Sequence, residues 1–315
     1  MTDYFGKAWQ LTINPQASGE TWTIPDGSGG EALRCTFEIE QYANSAYWFA
    51  DIAVFNFSAA FAQVVQKGDL VSLTAGYQSP GSGLIFSGTV LQPIWERAND
   101  TDFKFTLHCV VGLFEDRNGQ VNTTIAAGQT QGDAVRQVAR SCAHPLAIEY
   151  LDPALETKKY PRGLAVSAIA REFFDRIAED NDMQMWIGWN GLNISPLTSD
   201  NDTPDWIYAP PFSAGGSQSG NTKYTLLGTP QQTEKGVNFR VLLDSGVRLK
   251  SLVSVQNVLV NQVRNIPGQL PPIFNPNGAF IVAGIRHMGD TRGNDWQTEI
   301  TTVTPDWAKL QAVST

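Results

Sequence analysis

Few residues in this 315-residue chain are of the types that do chemistry, and their spacing mostly argues against it. There are three histidines (His108, His144, His287) and three cysteines (Cys35, Cys109, Cys142). His108 and Cys109 are neighbours in a stretch that alternates as a strand. Their side chains therefore leave opposite faces and cannot pair as nucleophile and base. Cys35 shares a face with Phe37 and Ile39, and Cys142 falls on the apolar side of a helical pattern, so buried, unreactive thiols are expected. No C-x-x-C, H-E-x-x-H, H-x-H or calcium-loop pattern occurs, and neither a metal nor a cofactor is expected. Glycosidase chemistry needs two carboxyls facing each other across a cleft. The pairs that could supply them are Asp175/Glu179 and Asp180/Asp182, and the first lies on the wet stripe of a helical pattern, where charge is ordinary. Residues 213–221 are glycine-rich, but a phosphate loop needs a following helix and a Gly-Lys-Ser/Thr end. Here β-type residues follow (Lys223, Tyr224, Thr225, Leu226), and the chain's Gly-Lys pair, Gly6-Lys7, is far away. Of nine tryptophans, Trp48, Trp95, Trp186, Trp189 and Trp296 sit in strand patterns that favour packing over sugar stacking. No catalytic residue is assigned, and an enzyme is not expected.

The elements that position these residues are mainly β. Leu33, Cys35, Phe37 and Ile39 alternate with polar residues, the period-2 mark of a strand with one wet face. Residues 48–55, 67–77, 84–95 and 103–111 follow as further strands, with a turn at Gly68-Asp69 and a polar turn over residues 96–101. The first 30 residues are rich in turn formers and hold one candidate strand, residues 9–13. In the middle the period changes. Val135, Val138, Ala139 and Cys142 recur at helical spacing over residues 133–142, where Thr130 or Asp133 is a candidate cap. Val166, Ile169, Ala170, Phe173 and Ile177 predict a second helix over residues 165–180. Asn190-Gly191 between two short apolar runs predicts a hairpin with both central residues at positive φ. Residues 199–221 read as a linker. Strands return in residues 236–255, 279–287 and 295–303, with a proline-crowded connection before the second of these.

Composition bounds the function. Hydrophobic residues make up 42% and charged residues 17%, as in globular proteins, and the length favours two or three domains. The net charge is −9, with no basic run longer than Lys158-Lys159, which disfavours a grip on nucleic-acid phosphates. Neither a signal peptide nor a bilayer-spanning apolar run is visible, and membrane insertion is not expected. The two β regions also echo each other. Residues 84–110 and 279–303 each run as an apolar strand interrupted by glycine (Gly88, Gly284), a polar turn, and an alternating strand opened by an aromatic (Phe103, Trp296). Upstream of each lies a further strand, around Val71 and around Leu252.

Three stretches resemble the baseplate hub proteins of contractile-tailed phages, the Mu-like hubs included, and related contractile injection systems. They are KGDLVSLTAGY (67–77) with GLIFSGTV (83–90), GVNFRVLLDSGVRLKSLVSV (236–255), and FIVAGIRHMGDTRGNDWQTEITTV (280–303), the last being the most distinctive. The second stretch has Asp244-Ser245 where many relatives have Asn-Pro. The resemblance implies a mainly β chain with an α/β middle domain. Two similar small β-barrel, tube-type domains (1–118 and 222–315) would flank a helix-and-hairpin domain (119–200) and a linker (201–221). It implies a homotrimer forming a pseudo-sixfold ring that joins a hexameric tail tube to a trimeric central spike. Expected partners are other copies of the chain, the tail tube protein, the central spike protein and other baseplate proteins, with DNA only in passage. The protein would reside in the virion tail baseplate, assembled in the bacterial cytoplasm. His287, Asp290, Arg292 and Trp296 are the candidate subunit or tube contacts. Two other readings compete: a carbohydrate-binding host-recognition module, and a cell-wall hydrolase using the carboxylates of the middle helix.

Overall fold

The computed structural model describes the chain apart from residues 1–3, 26–32, 44, 46, 113–119, 144, 199–202, 212–220, 234, 257–277 and 306–315. His144, glycine-rich residues 213–220 and most of the proline-rich connection thus lie outside the described residues. In chain order the first elements are β1 (Phe5–Asn14), β2 (Trp22–Ile24), β3 (Cys35–Tyr42), β4 (Trp48–Phe55), a short helix α1 (Ala59–Ala62), β5 (Leu70–Ser79), β6 (Ser82–Arg97) and β7 (Phe103–Val111). The middle holds β8 (Gln120–Ile125), α2 (Gln131–Ser141), β9 (Ile148–Leu151), β10 (Leu164–Ile169), α3 (Ala170–Glu179), β11 (Gln184–Gly188) and β12 (Gly191–Ser195). The chain ends with β13 (Trp206–Tyr208), β14 (Thr222–Lys223), β15 (Leu226–Gln232), β16 (Val237–Leu242), β17 (Leu252–Val255), β18 (Ala279–Asp290) and β19 (Trp296–Val303). Two compact units result. One comprises Met1–Tyr42, Phe49–Cys109 and Thr198–Thr315, and the other Ala43–Trp48 and Val110–Leu197.

In the first unit, both β regions belong to one 14-stranded sheet. Strands β3-β4-β7-β6-β5 neighbour one another in that order, continued by β1 and β2. The order β15-β16-β19-β18-β17, continued by β13 and β14, repeats it in the second region. The repeat is not complete: β1 runs antiparallel to β5, whereas β13 runs parallel to β17. Alternation explains which side is core. Cys35, Phe37 and Ile39 of β3 are buried with Ile52 and Val54 of β4, Leu73 of β5, Phe86 of β6 and Leu107 of β7. The second run buries Phe239, Val241, Val253, Phe280, Val282, Ile285 and Ile300 in one cluster that includes Tyr208.

The second unit packs two amphipathic helices on two small sheets, β8-β10 and β9-β12-β11. Val135, Val138 and Ala139 of α2 share a core with Phe173, Phe174 and Ile177 of α3 and with Ile187, Leu192 and Ile194 of the hairpin. The sequence left the cap of α2 open between two residues. Thr130 is the N-cap, its hydroxyl accepting from the Asp133 N–H while the Asp133 carboxylate accepts from the Thr130 N–H, so each uses one orphan amide.

Three expectations change. The helix expected over residues 165–180 starts only at Ala170, because Leu164–Ile169 pairs antiparallel with β8, burying Val166 as a strand residue. The hairpin at Asn190-Gly191 forms, with Gly188 opposite Gly191, but only Gly191 of the pair has positive φ (137°). Glycine is needed there for another reason: a Cβ would sit 2.4 Å from the Ala147 carbonyl oxygen. Inside the stretch expected as linker, β13 pairs parallel with β17, and Tyr208 is buried with its hydroxyl donating to Asp244 (2.8 Å). Its proline- and aspartate-rich surroundings disguised a three-residue strand. Among the described residues no helix is long and apolar enough to cross a membrane.

Candidate assembly site

The four candidate contact residues lie on or beside the β18–β19 hairpin, and His287, Asp290 and Trp296 meet the first β region of the same chain. Strand β18 has two partners along one edge. Ala279, Phe280 and Ile281 pair with β17, and then Gly284 to Asp290 pair with β3, Gly284 opposite Tyr42 and Asp290 opposite Thr36. This β18–β3 ladder joins the two five-strand runs.

Each candidate has a distinct place. His287 is 2% exposed, its Nδ1 2.9 Å from the Thr298 hydroxyl, and burial lowers its pKa to about 4. It is a neutral core residue, not a surface contact. Trp296 is also buried: its Nε1 donates to the Gly76 carbonyl (2.9 Å), its ring meets Phe37 edge-on at 5.4 Å, and the Lys7 ammonium lies 5.3 Å above it. Asp290 accepts from the Arg34 Nη2 (2.7 Å) and Nε (3.2 Å), and this pairing holds its carboxyl below the usual carboxylate range. The Asp290 carboxylate also accepts from the Arg292 N–H (2.9 Å), fixing the turn, while the Arg292 side chain is exposed. The structure thus splits the set into two buried joint residues and two turn residues.

The same joint holds residues that sequence reasoning passed over. Lys7, seen only as half of a Gly-Lys pair, donates to the carbonyls of Asp290 (2.7 Å) and Gly293 (2.5 Å), tying the N-terminal strand to the distant turn. Thr291 and Cys35 exchange hydrogen bonds: the Cys35 N–H donates to the Thr291 hydroxyl, and the Thr291 N–H to the Cys35 carbonyl. Gly289 lets the Phe37 ring lie against the strand, since a Cβ there would fall 2.2 Å from Phe37 Cζ. Contacts separated by more than 200 residues leave no local trace in a sequence; only the aromatic opening β19 hinted at them.

The wet face of β18, β3, β4, β7 and β6 forms a shallow groove of about 370 Å³. Glu38, Asp51 and Glu96 line it with Lys104 and His108. Asp51 pairs with the His108 Nδ1, and Arg286 pairs with Glu38 and lies 3.4 Å from Glu40 and 3.8 Å from Glu299. Among the described residues no group of three or more His, Cys, Asp or Glu side chains is placed to hold a metal. The three cysteines are buried, and burial raises the thiol pKa of Cys35 and Cys109, which disfavours a nucleophilic thiolate. Asp175 and Glu179 lie on the wet side of α3, where Asp175 sits 3.5 Å from Arg171 at the i,i+4 spacing.

No family model matches the chain, and no curated protein does. Solved structures do. A tail protein from Neisseria meningitidis MC58 superimposes with a TM-score of 0.58 over 96% of this chain and 98% of its own, at 12% identity. The 43 kDa tail protein of prophage MuSo2 from Shewanella oneidensis gives 0.57 over 95% and 99%, at 10% identity. The E. coli c3393 protein, a type VI secretion component described as structurally similar to the T4 tail proteins gp27 and gp5, gives 0.53 over 93% and 76%, at 10% identity. At these identities the likeness is one of fold. The chain is built on the phage tail-protein fold, as its sequence resemblance to baseplate hubs implied.

Proposed function

We propose that this protein is a non-enzymatic structural hub of a contractile tail baseplate. Three copies form a ring in which each contributes two similar β-barrel units, residues 1–118 and 222–315, the second joined by β13 (Trp206–Tyr208) from the preceding stretch 201–221, with the helix-and-hairpin part (119–200) attached. The ring presents six near-equivalent units to a hexameric tail tube and three exact repeats to a trimeric central spike, and it leaves a passage for DNA. Other baseplate proteins bind its periphery, and the assembly forms in the host cytoplasm before entering the virion.

One observation carries this reading: the five-strand order β3-β4-β7-β6-β5 recurs as β15-β16-β19-β18-β17 in the same chain. A chain with two equivalent halves is what lets threefold symmetry imitate sixfold, because closed rings require each contact to recur at a fixed rotation. The −9 charge is in keeping with a passage along which a polyanion slides without adhering. Native mass measurement, alone and with the tail tube and spike proteins added, tests the reading. A species of three 34.4 kDa chains that also captures both partners is the expected result. A chain that stays monomeric in every mixture contradicts it.

A further inference from the structure

We infer that the tip of the β6–β7 hairpin, anchored by Trp95 and Phe103, is where one copy of this chain grips the next, against the β15 edge of its neighbour. The inference rests on the ring reading above and assigns residues to its intersubunit contact.

Within the chain, the equivalent contact is already made. Phe103 opens β7 as Trp296 opens β19, and β6 occupies the place in its run that β18 occupies in the other. Trp296 is 5% exposed because its hairpin lies against the first run. Phe103 is 38% exposed and Trp95 37%. The two stack on each other at 5.6 Å and 18°, with the Arg97 guanidinium 5.4 Å over Phe103. Two stacked aromatics and an arginine at a hairpin tip are the residue types that dominate interface energetics.

The backbone gives an independent argument. On β18, the edge beyond β17 is filled by β3 from Gly284 to Asp290. On β6, pairing with β5 ends at Thr89, and from Leu91 to Arg97 that edge has no strand among the described residues. The counterpart of β3 in the second run is β15, whose described partner is β16 alone. Each copy thus offers one hairpin and one strand edge that its own described strands leave open. A head-to-tail contact between them recurs from copy to copy and closes into a ring. Pro93 in β6 and Pro230 in β15 lack an N–H, so the ladder is shorter than the β18–β3 one. The same prolines guard both edges against promiscuous pairing in the free chain, leaving the aromatics to carry the contact.

The test compares wild-type protein with Trp95→Ala/Phe103→Ala by sedimentation over a concentration series, alone and with tube and spike proteins. Because the two rings stack on each other and Trp95 also lies 6.0 Å from Phe105, the melting temperature of the variant is measured alongside, so that loss of fold and loss of assembly are read separately. Loss of two anchors weakens trimerisation by at least about 100-fold. A photoreactive benzoylphenylalanine placed at position 95 labels residues 226–232 of another copy. If wild type trimerises and the variant does so equally well, or if the label lands elsewhere or on a tube or spike protein, the inference falls while the ring reading stands. If wild type never trimerises, both fall.

Discussion

At the residue scale, the joint between the two β runs depends on polar groups taken out of water in specific protonation states. His287 is neutral in the folded chain, its pKa lowered from 6.5 to about 4 chiefly by burial, with Arg248 adding to the shift and Asp244 opposing it. The unfolded chain therefore binds the extra proton first. Stability is complete above pH 6.5 and declines as pH falls towards 4, by on the order of 3 kcal/mol in all. Urea midpoints measured across that window show this slope, and His287→Gln, which cannot take up the proton, flattens it. Lys7 acts in the opposite sense, as a charge satisfying two carbonyls of the β18–β19 turn. Lys7→Met keeps the apolar stem but leaves both oxygens without their donor. We expect a loss of about 1–3 kcal/mol in chemical denaturation.

At the element scale, packing between β18 and β3 depends on two glycines of unequal consequence. A methyl at Gly289 meets Phe37, which is 4% exposed and held by Trp296, so the ring cannot swing aside. A methyl at Gly284 meets Tyr42, whose ring is only partly buried and has room to move. Gly289→Ala is expected to cost about 1–3 kcal/mol and Gly284→Ala distinctly less, both read from denaturant midpoints. Most of these strands were visible in the sequence, since alternation marks any strand with one wet face: β4 and β7 match their expected bounds to the residue. What escaped were elements whose residues argue locally for something else. Strand β15 holds Gly228 and Pro230 within its seven residues, and β13 sits among prolines and aspartates. Val166 and Ile169 fit a helical spacing that pairing with β8 overrides. The candidate site was legible as a stretch, residues 287–296, but not as a joint, since Lys7, Arg34 and Phe37 reach it from the other end of the chain.

At the scale of the whole molecule, the echo between residues 84–110 and 279–303 corresponds to a strand order repeated twice, five strands at a time, within a sheet that covers both. In the proposed ring, one set of contacts is satisfied inside the chain and an equivalent set faces the neighbouring copy. The pairing of β18 with β3 is the inward set. Cryo-electron microscopy of the purified assembly, viewed down its axis, is the most direct measurement of the proposed duplication. The expected result is a closed ring of six similar β densities around an open centre, obeying only threefold symmetry, with the β6–β7 hairpin at alternate junctions. A ring of six whole chains, a dimer, or a lone chain under all conditions would contradict it.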